Sequence, residues 1–169
     1  KTQSIRDLVI HTRPLQRHSP NTQQFLSTPV TGHYPCGTCT VCKFTKPTKT
    51  LSLPDGTTWT QRTHTNCNTA MCVYLISCPC DKYYVGMTSR PVKIRIGEHR
   101  STIRCGRSST KLTNQYLELR HRPDDLHWTI LETVNNESLL LLKEQRWVFR
   151  LGTAEVGLND AIPWPSLQK

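Results

Sequence analysis

The 169 residues carry 22 Lys and Arg against 12 Asp and Glu, a formal charge of +10 and a pI near 9.4. That length suits one domain with an appendage or two small modules, and that charge suits a polyanionic partner, nucleic acid before an anionic membrane. No apolar run approaches the roughly 18 residues of a membrane-spanning helix, so a membrane partner is not expected. The opening KTQSIRDLVIHTRPL has no signal-peptide core, and a chain that begins at a lysine is expected to be excised from a longer one.

Residues 1–30 are polar and broken by Pro14, Pro20 and Pro29, which predicts a linker with at most a brief element over Asp7–Ile10. Residues 31–71 are rich in Thr, Pro, Gly and Cys. Their few apolar residues do not offset the chain entropy, so this module is expected to need a staple. From Cys72 the pattern becomes that of a compact α/β domain extending to residue 162, with a tail over 163–169. Val73–Ser77 and Tyr83–Gly86 read as a hairpin turning at Pro79–Lys82. Pro91 fits the first turn of a helix with an apolar stripe of Val92, Ile96 and Ile103. Cys105–Ser109 is a Gly/Ser break, and Lys111–Arg120 predicts a shorter helix ended before Pro123. Leu126–Glu132 alternates as a strand, and Glu137–Leu151 reads as the clearest helix, closed by Gly152. The order β-β-α-α-β-α predicts a three-stranded, mainly antiparallel sheet flanked by helices. Trp128, Trp147 and Trp164 read as packing residues.

Several polar residues fall where apolar ones belong. His99 lies on the inward stripe of the helix after Pro91, with Arg95 one turn before it, so both face the hairpin. Glu144 sits within the apolar face of Leu140, Trp147, Val148 and Leu151, where a carboxylate needs a cation beside it. Arg95 in a buried ion pair and a metal ion are the two candidates. With Tyr74 and Tyr84 these residues make a set suited to phosphodiester hydrolysis. Arginine would stabilise charge on the phosphate, glutamate would hold a divalent cation, and a tyrosine or histidine would manage the proton of the attacking water.

In this order and spacing the residues resemble a GIY-YIG nuclease over roughly residues 72–162. Cys72-Val73-Tyr74 stands for the first tripeptide, with Cys in place of Gly, and Tyr84-Val85-Gly86 for the second. The family's arginine, histidine and metal-binding glutamate match Arg95, His99 and Glu144, and a domain-end asparagine matches Asn159. Arg95 lies one residue further from Gly86 than in many members, although the arginine-to-histidine spacing is kept. The stretch YVGMTSRPVKIRIGEH and the upstream PCGTCTVC are similar to the nuclease domain of Penelope-like retroelements. That resemblance implies nicking of target DNA by a metal-dependent, nuclear enzyme that follows a reverse transcriptase in the same polypeptide and exposes a 3′ hydroxyl for copying of the template RNA. Mg²⁺ or Mn²⁺ would be the catalytic ion.

Eight cysteines, several at CxxC or CxC spacing beside histidines and without a secretory signal, read as zinc ligands in preference to disulfides. Cys36, Cys39, Cys42 and Cys67 would make a four-sulfur site, with His64 or, less well, Cys72 as alternative fourth ligands. The resemblance also implies a second site of Cys78, Cys80 and His121. Its other histidine falls on Gln115, a poor zinc ligand, which leaves a degenerate site, recruitment of His127, or a metal-free turn. Cys105 reads as a lone thiol. Arg90, Lys93, Arg100, Arg104, Arg107 and Lys111 gather on and after the first helix as candidate phosphate contacts. The rival readings are a DNA-binding module without catalysis and a repair or junction nuclease. They differ from the first in whether a folded, zinc-loaded protein nicks DNA, and on which substrate.

Overall fold

In the computed structural model, residues 30–45, 47–53 and 56–160 are described. Residues 1–29, with the element expected at Asp7–Ile10, and residues 161–169, with the tail and Trp164, lie outside them.

The segment from Thr31 forms two short ribbons. β1 (Gly32–Tyr34) runs parallel to β4 (His64–Asn66), and β2 (Thr50–Ser52) runs antiparallel to β3 (Thr58–Thr60). The main sheet follows. β5 (Cys72–Ser77) lies between β6 (Tyr83–Thr88) and β7 (His127–Thr133), both antiparallel to it. The hairpin and third strand therefore form as the alternation predicts. A register shift against β7 falls between Val73 and Tyr74, the kind of bulge that re-aims a side chain next to a site.

Alternation along β5 sends its residues to opposite faces. Cys72, Tyr74 and Ile76 join one apolar cluster with α1 (Val92–Arg104), α2 (Lys111–Glu118) and Leu126, Trp128 and Ile130. Val73 and Leu75 join a second cluster with Val85, Leu131 and α3 (Leu140–Leu151). The predicted last helix begins as a 3₁₀ turn, Glu137–Leu139, in which the Asn136 side chain accepts from the Ser138 N–H. It ends at Gly152, whose φ of 62° is the left-handed C-terminal geometry glycine favours. Thr110 caps α2 by accepting from the Thr113 N–H.

The few apolar residues of 31–71 are spent on these same clusters. Val41, Phe44 and Cys67 complete the first, and Leu53, with Leu51 and Trp59 beside it, completes the second. Hydrogen bonds bind the segment further. Trp128 Nε1 donates to the Val41 carbonyl, and Thr45 Oγ1 donates to the Trp128 carbonyl. The Val92 and Lys93 amides, unpaired by rule at a helix N-terminus, donate to the carbonyls of Thr69 and Cys67. The cysteine-rich segment thus sets the start of α1.

β6 is an edge strand, and its outward backbone groups are covered. Leu158 N–H donates to Tyr83 O. Asn159 accepts from the Val85 N–H and donates to the Val85 carbonyl. The Glu144 carboxylate lies beside the Met87 amide. This covering closes an edge otherwise open to pairing, and it brings α3 to the side of the sheet where the polar residues collect.

Candidate active site

Tyr74 is fully buried, and its hydroxyl lies 2.9 Å from His99 Nε2. Burial, with Arg95 nearby, pushes the His99 imidazole down to about 4. His99 is therefore neutral at neutral pH, and its Nε2 shares a hydrogen bond with the Tyr74 hydroxyl. Tyr74 pairs across the ladder with Gly86. A methyl group at Gly86 would meet Tyr74 Cζ at 2.6 Å and Tyr84 Cε1 at 2.9 Å. The glycine makes room for both phenol rings.

Tyr84 is half-buried, with its ring 5.4 Å from that of His99. Burial raises the pKa of both tyrosine hydroxyls, and the neighbouring Arg95 guanidinium opposes the rise. Arg95 thus lies near both hydroxyls. Glu144 approaches from α3, half-buried, and burial pushes its carboxyl up, opposed by the nearby Met87 amide and Arg95. Tyr74, Tyr84, Arg95, His99 and Glu144 are brought together.

Of the two candidate partners for Glu144, Arg95 is not in an ion pair with it. Arg95 Nη1 instead bonds Glu98 Oε2 at 3.0 Å, and Arg90 Nη2 holds Glu98 Oε1 at 2.7 Å. Among the described residues Glu144 has no ion-pair partner. A desolvated carboxylate with no counter-ion is a hard oxygen donor that fits Mg²⁺ or Mn²⁺, so the residues present suit the implied cation. Cys72, at the first tripeptide's glycine position, is buried with its thiol 3.8 Å from the Thr69 carbonyl.

A correction concerns Arg100. Its side chain is 9% exposed, paired with Asp124, bonded to the Pro123 carbonyl at 3.1 Å and stacked 3.6 Å over the Phe44 ring. It pins the cysteine-rich segment to α1 and is closed to a phosphate. Lys93 Nζ bonds Asn68, and Lys111 Nζ bonds the Asn159 carbonyl. Arg104 and Arg107 are exposed.

Cys36, Cys39, Cys42 and Cys67 converge, with Cys42 Sγ 3.3, 3.4 and 3.5 Å from the sulfurs of Cys36, Cys39 and Cys67. A tetrahedron with Zn–S near 2.3 Å has edges of about 3.8 Å, so the four sulfurs could hold zinc with small adjustment. Hydrogen bonds, first from the Thr38 N–H, hold the Cys36 thiol down to about 5. His64 is exposed and stacked on Tyr34, and neither it nor Cys72 joins the cluster. Cys78, Cys80 and His121 form a second group, in which His121 Nε2 is buried without a hydrogen-bond partner. Gln115 presents its amide N–H to Cys80 Sγ at 3.7 Å, so it acts as a donor to the sulfur. His127 is exposed and outside the group. Cys105 is exposed.

Residue identity carried the reading of most of these positions. Glu98 escaped it because a glutamate between basic residues on a helix reads as a solvated face, and its partner Arg90 lies outside that helix.

The family profile described as the GIY-YIG catalytic domain matches residues 70–154, half of the chain. Two solved structures are similar. One is the catalytic domain of the homing endonuclease I-TevI, at 22% identity over 54% of this chain and 98% of that one, with a TM-score of 0.47. The other is a glutamate-to-alanine mutant of the catalytic domain of the intron endonuclease I-TevI, at 24% identity over 53% and 91%, with a TM-score of 0.46. No curated protein matches the chain.

Proposed function

We propose, from the premise that this chain belongs to the GIY-YIG family and is a DNA endonuclease, that it is the metal-dependent nickase of a retroelement. It acts in the nucleus, within a polypeptide that also carries a reverse transcriptase, and leaves a 3′ hydroxyl that primes copying of the template RNA. The convergence of Tyr74, Tyr84, Arg95 and His99 beside an unpaired Glu144 supports the chemistry. The YVGMTSRPVKIRIGEH stretch with the upstream CxxCxxC cysteines supports the retroelement setting.

In this reading Glu144 holds Mg²⁺ or Mn²⁺, which when bound neutralises charge on the reacting phosphate. Arg95 donates to a non-bridging phosphate oxygen and favours the extra negative charge of the pentavalent state. Tyr84, the more exposed phenol, orients the attacking water. Tyr74 is fixed by its hydrogen bond to neutral His99, and the pair forms the relay through which the water proton leaves. Arg90, Arg104 and Arg107 track the DNA backbone, so binding weakens steeply with salt. The sulfurs of Cys36, Cys39, Cys42 and Cys67 hold a structural zinc, and Cys78, Cys80 and His121 hold a second.

The test is nicking of supercoiled plasmid with Mn²⁺ or Mg²⁺ by wild type, Arg95→Ala and Glu144→Ala. A metal-dependent nick in wild type and a loss of at least about 100-fold in both variants, with circular dichroism unchanged, supports the mechanism. A folded Glu144→Ala protein that nicks at the wild-type rate removes the metal assignment. A zinc-loaded wild type that shifts DNA without cutting it favours the binding module.

A further inference from the structure

Arg95 lies in the field of two carboxylates, Glu98 and Glu144, and its hydrogen bond goes to the more exposed one. Glu98, one helical turn from Arg95, accepts from Arg95 Nη1 on one oxygen and from Arg90 Nη2 on the other. Glu144 is desolvated, and a guanidinium beside it in a half-buried site is attracted strongly, because water screens the pair poorly. Collapse of Arg95 onto Glu144 would disable both. The arginine would lose donors for the phosphate, and the carboxylate would lose the lone pairs that coordinate a cation.

We propose that Glu98 is a positioning residue that holds Arg95 off Glu144 and so keeps Glu144 open to a divalent cation. The inference rests on the reading of Glu144 as the cation's ligand. Three features of the geometry fit this role. Glu98 engages Nη1 of Arg95, which leaves the other N–H groups for the tyrosine hydroxyls and a phosphate. Arg90 holds the second Glu98 oxygen, so Glu98 keeps a partner when Arg95 turns toward DNA. The side chains of Arg95 and Glu98 are each 39% exposed, which makes that exchange inexpensive. Arg90 and Arg95 also line, with Thr88, Ser89 and Glu137, a cleft of about 300 Å³. An arriving phosphate therefore meets both arginines that Glu98 holds.

The test measures Mn²⁺ binding by zinc-loaded protein without DNA, reading free Mn²⁺ by electron paramagnetic resonance. Glu98→Ala is expected to bind Mn²⁺ about tenfold more weakly, as when Arg95 covers Glu144 nine-tenths of the time. Glu98→Gln, which keeps an acceptor for Arg95, shifts less and serves where the alanine variant folds poorly. Adding Arg95→Ala to Glu98→Ala restores wild-type affinity, because nothing is left to cover Glu144. Adding Arg90→Ala, which changes the net charge equally, does not. Wild-type Mn²⁺ affinity in Glu98→Ala, or equal restoration by the two arginine deletions, overturns the proposal. Glu144→Ala that binds Mn²⁺ like wild type overturns the underlying assignment instead.

Discussion

Gly86 offers a sharp test of how the two tyrosines are held. Replacing it with alanine places a methyl 2.6 Å from Tyr74 Cζ, well inside the 3.4 Å at which ordinary contact begins, and 2.9 Å from Tyr84 Cε1. Tyr74 has no exposed surface into which to retreat. Overpacking of this kind costs about 1–3 kcal/mol, and a broken Tyr74–His99 hydrogen bond adds about 1 kcal/mol. For a domain of this size that sum lowers Tm by roughly 6–12 °C. A phenol displaced by about 1 Å reduces the nicking rate about 100-fold. The matched control is Gly97→Ala in α1, where the new methyl meets nothing within 4 Å. There the same substitution stabilises by about 0.5–1 kcal/mol through helix propensity and a less mobile unfolded chain. Differential scanning fluorimetry and plasmid nicking on both variants decide the matter. Equal Tm for wild type and Gly86→Ala, with equal rates, refutes the claim that the glycine exists to seat the two rings.

Acid sensitivity follows from His33 and His99, both buried and both lowered to about 4 from 6.5 mainly by burial. Because the unfolded chain takes up these protons first, their stabilisation is complete above about pH 6.5 and is lost as pH falls toward 4, about 3 kcal/mol for each. Urea midpoints between pH 7 and 5 should fall less steeply in His99→Gln than in wild type, and equal slopes contradict this. Arg100→Ala should lower Tm by removing the Asp124 pair and the cover over Phe44, yet leave the salt dependence of DNA binding unchanged. Arg104→Ala should do the reverse, reducing the magnitude of the salt slope by about 1; a changed slope in Arg100→Ala would return that residue to the DNA face. Chelation of zinc, or Cys42→Ala, should lower the Tm of the whole domain and the nicking rate together, because Cys67 caps α1; a melt of residues 31–71 that leaves the rate intact would show the site uncoupled from zinc.

Much of this was legible because it is local. Two tyrosines at matching places in a hairpin, and an arginine and a histidine four apart on a helix, converge by strand and helix periodicity alone. Glu144 stood out because a carboxylate within an apolar stripe is costly. What escaped was set by partners distant in sequence. Arg100 reads as one more phosphate contact until Phe44 and Asp124 are folded against it. The apolar content of 31–71 reads as too small for a core of its own, but nothing local says that Val41, Phe44 and Leu53 join the clusters on the sheet. The Arg95–Glu98 pair escaped because Arg95 was weighed only as a partner for Glu144 or a phosphate, and Glu98 reads as part of a solvated face.

The cysteine-rich segment lends side chains to both faces of the sheet and caps the helix that carries Arg95 and His99. The two parts therefore share one core. A recombination joint near residue 71 would look clean in the sequence, at the edge of the family match, yet it would hand the recipient a sheet with its core opened and α1 uncapped. Descendants that kept a working nuclease would be those that moved both parts together, or that refilled the space left by Phe44 and Cys67.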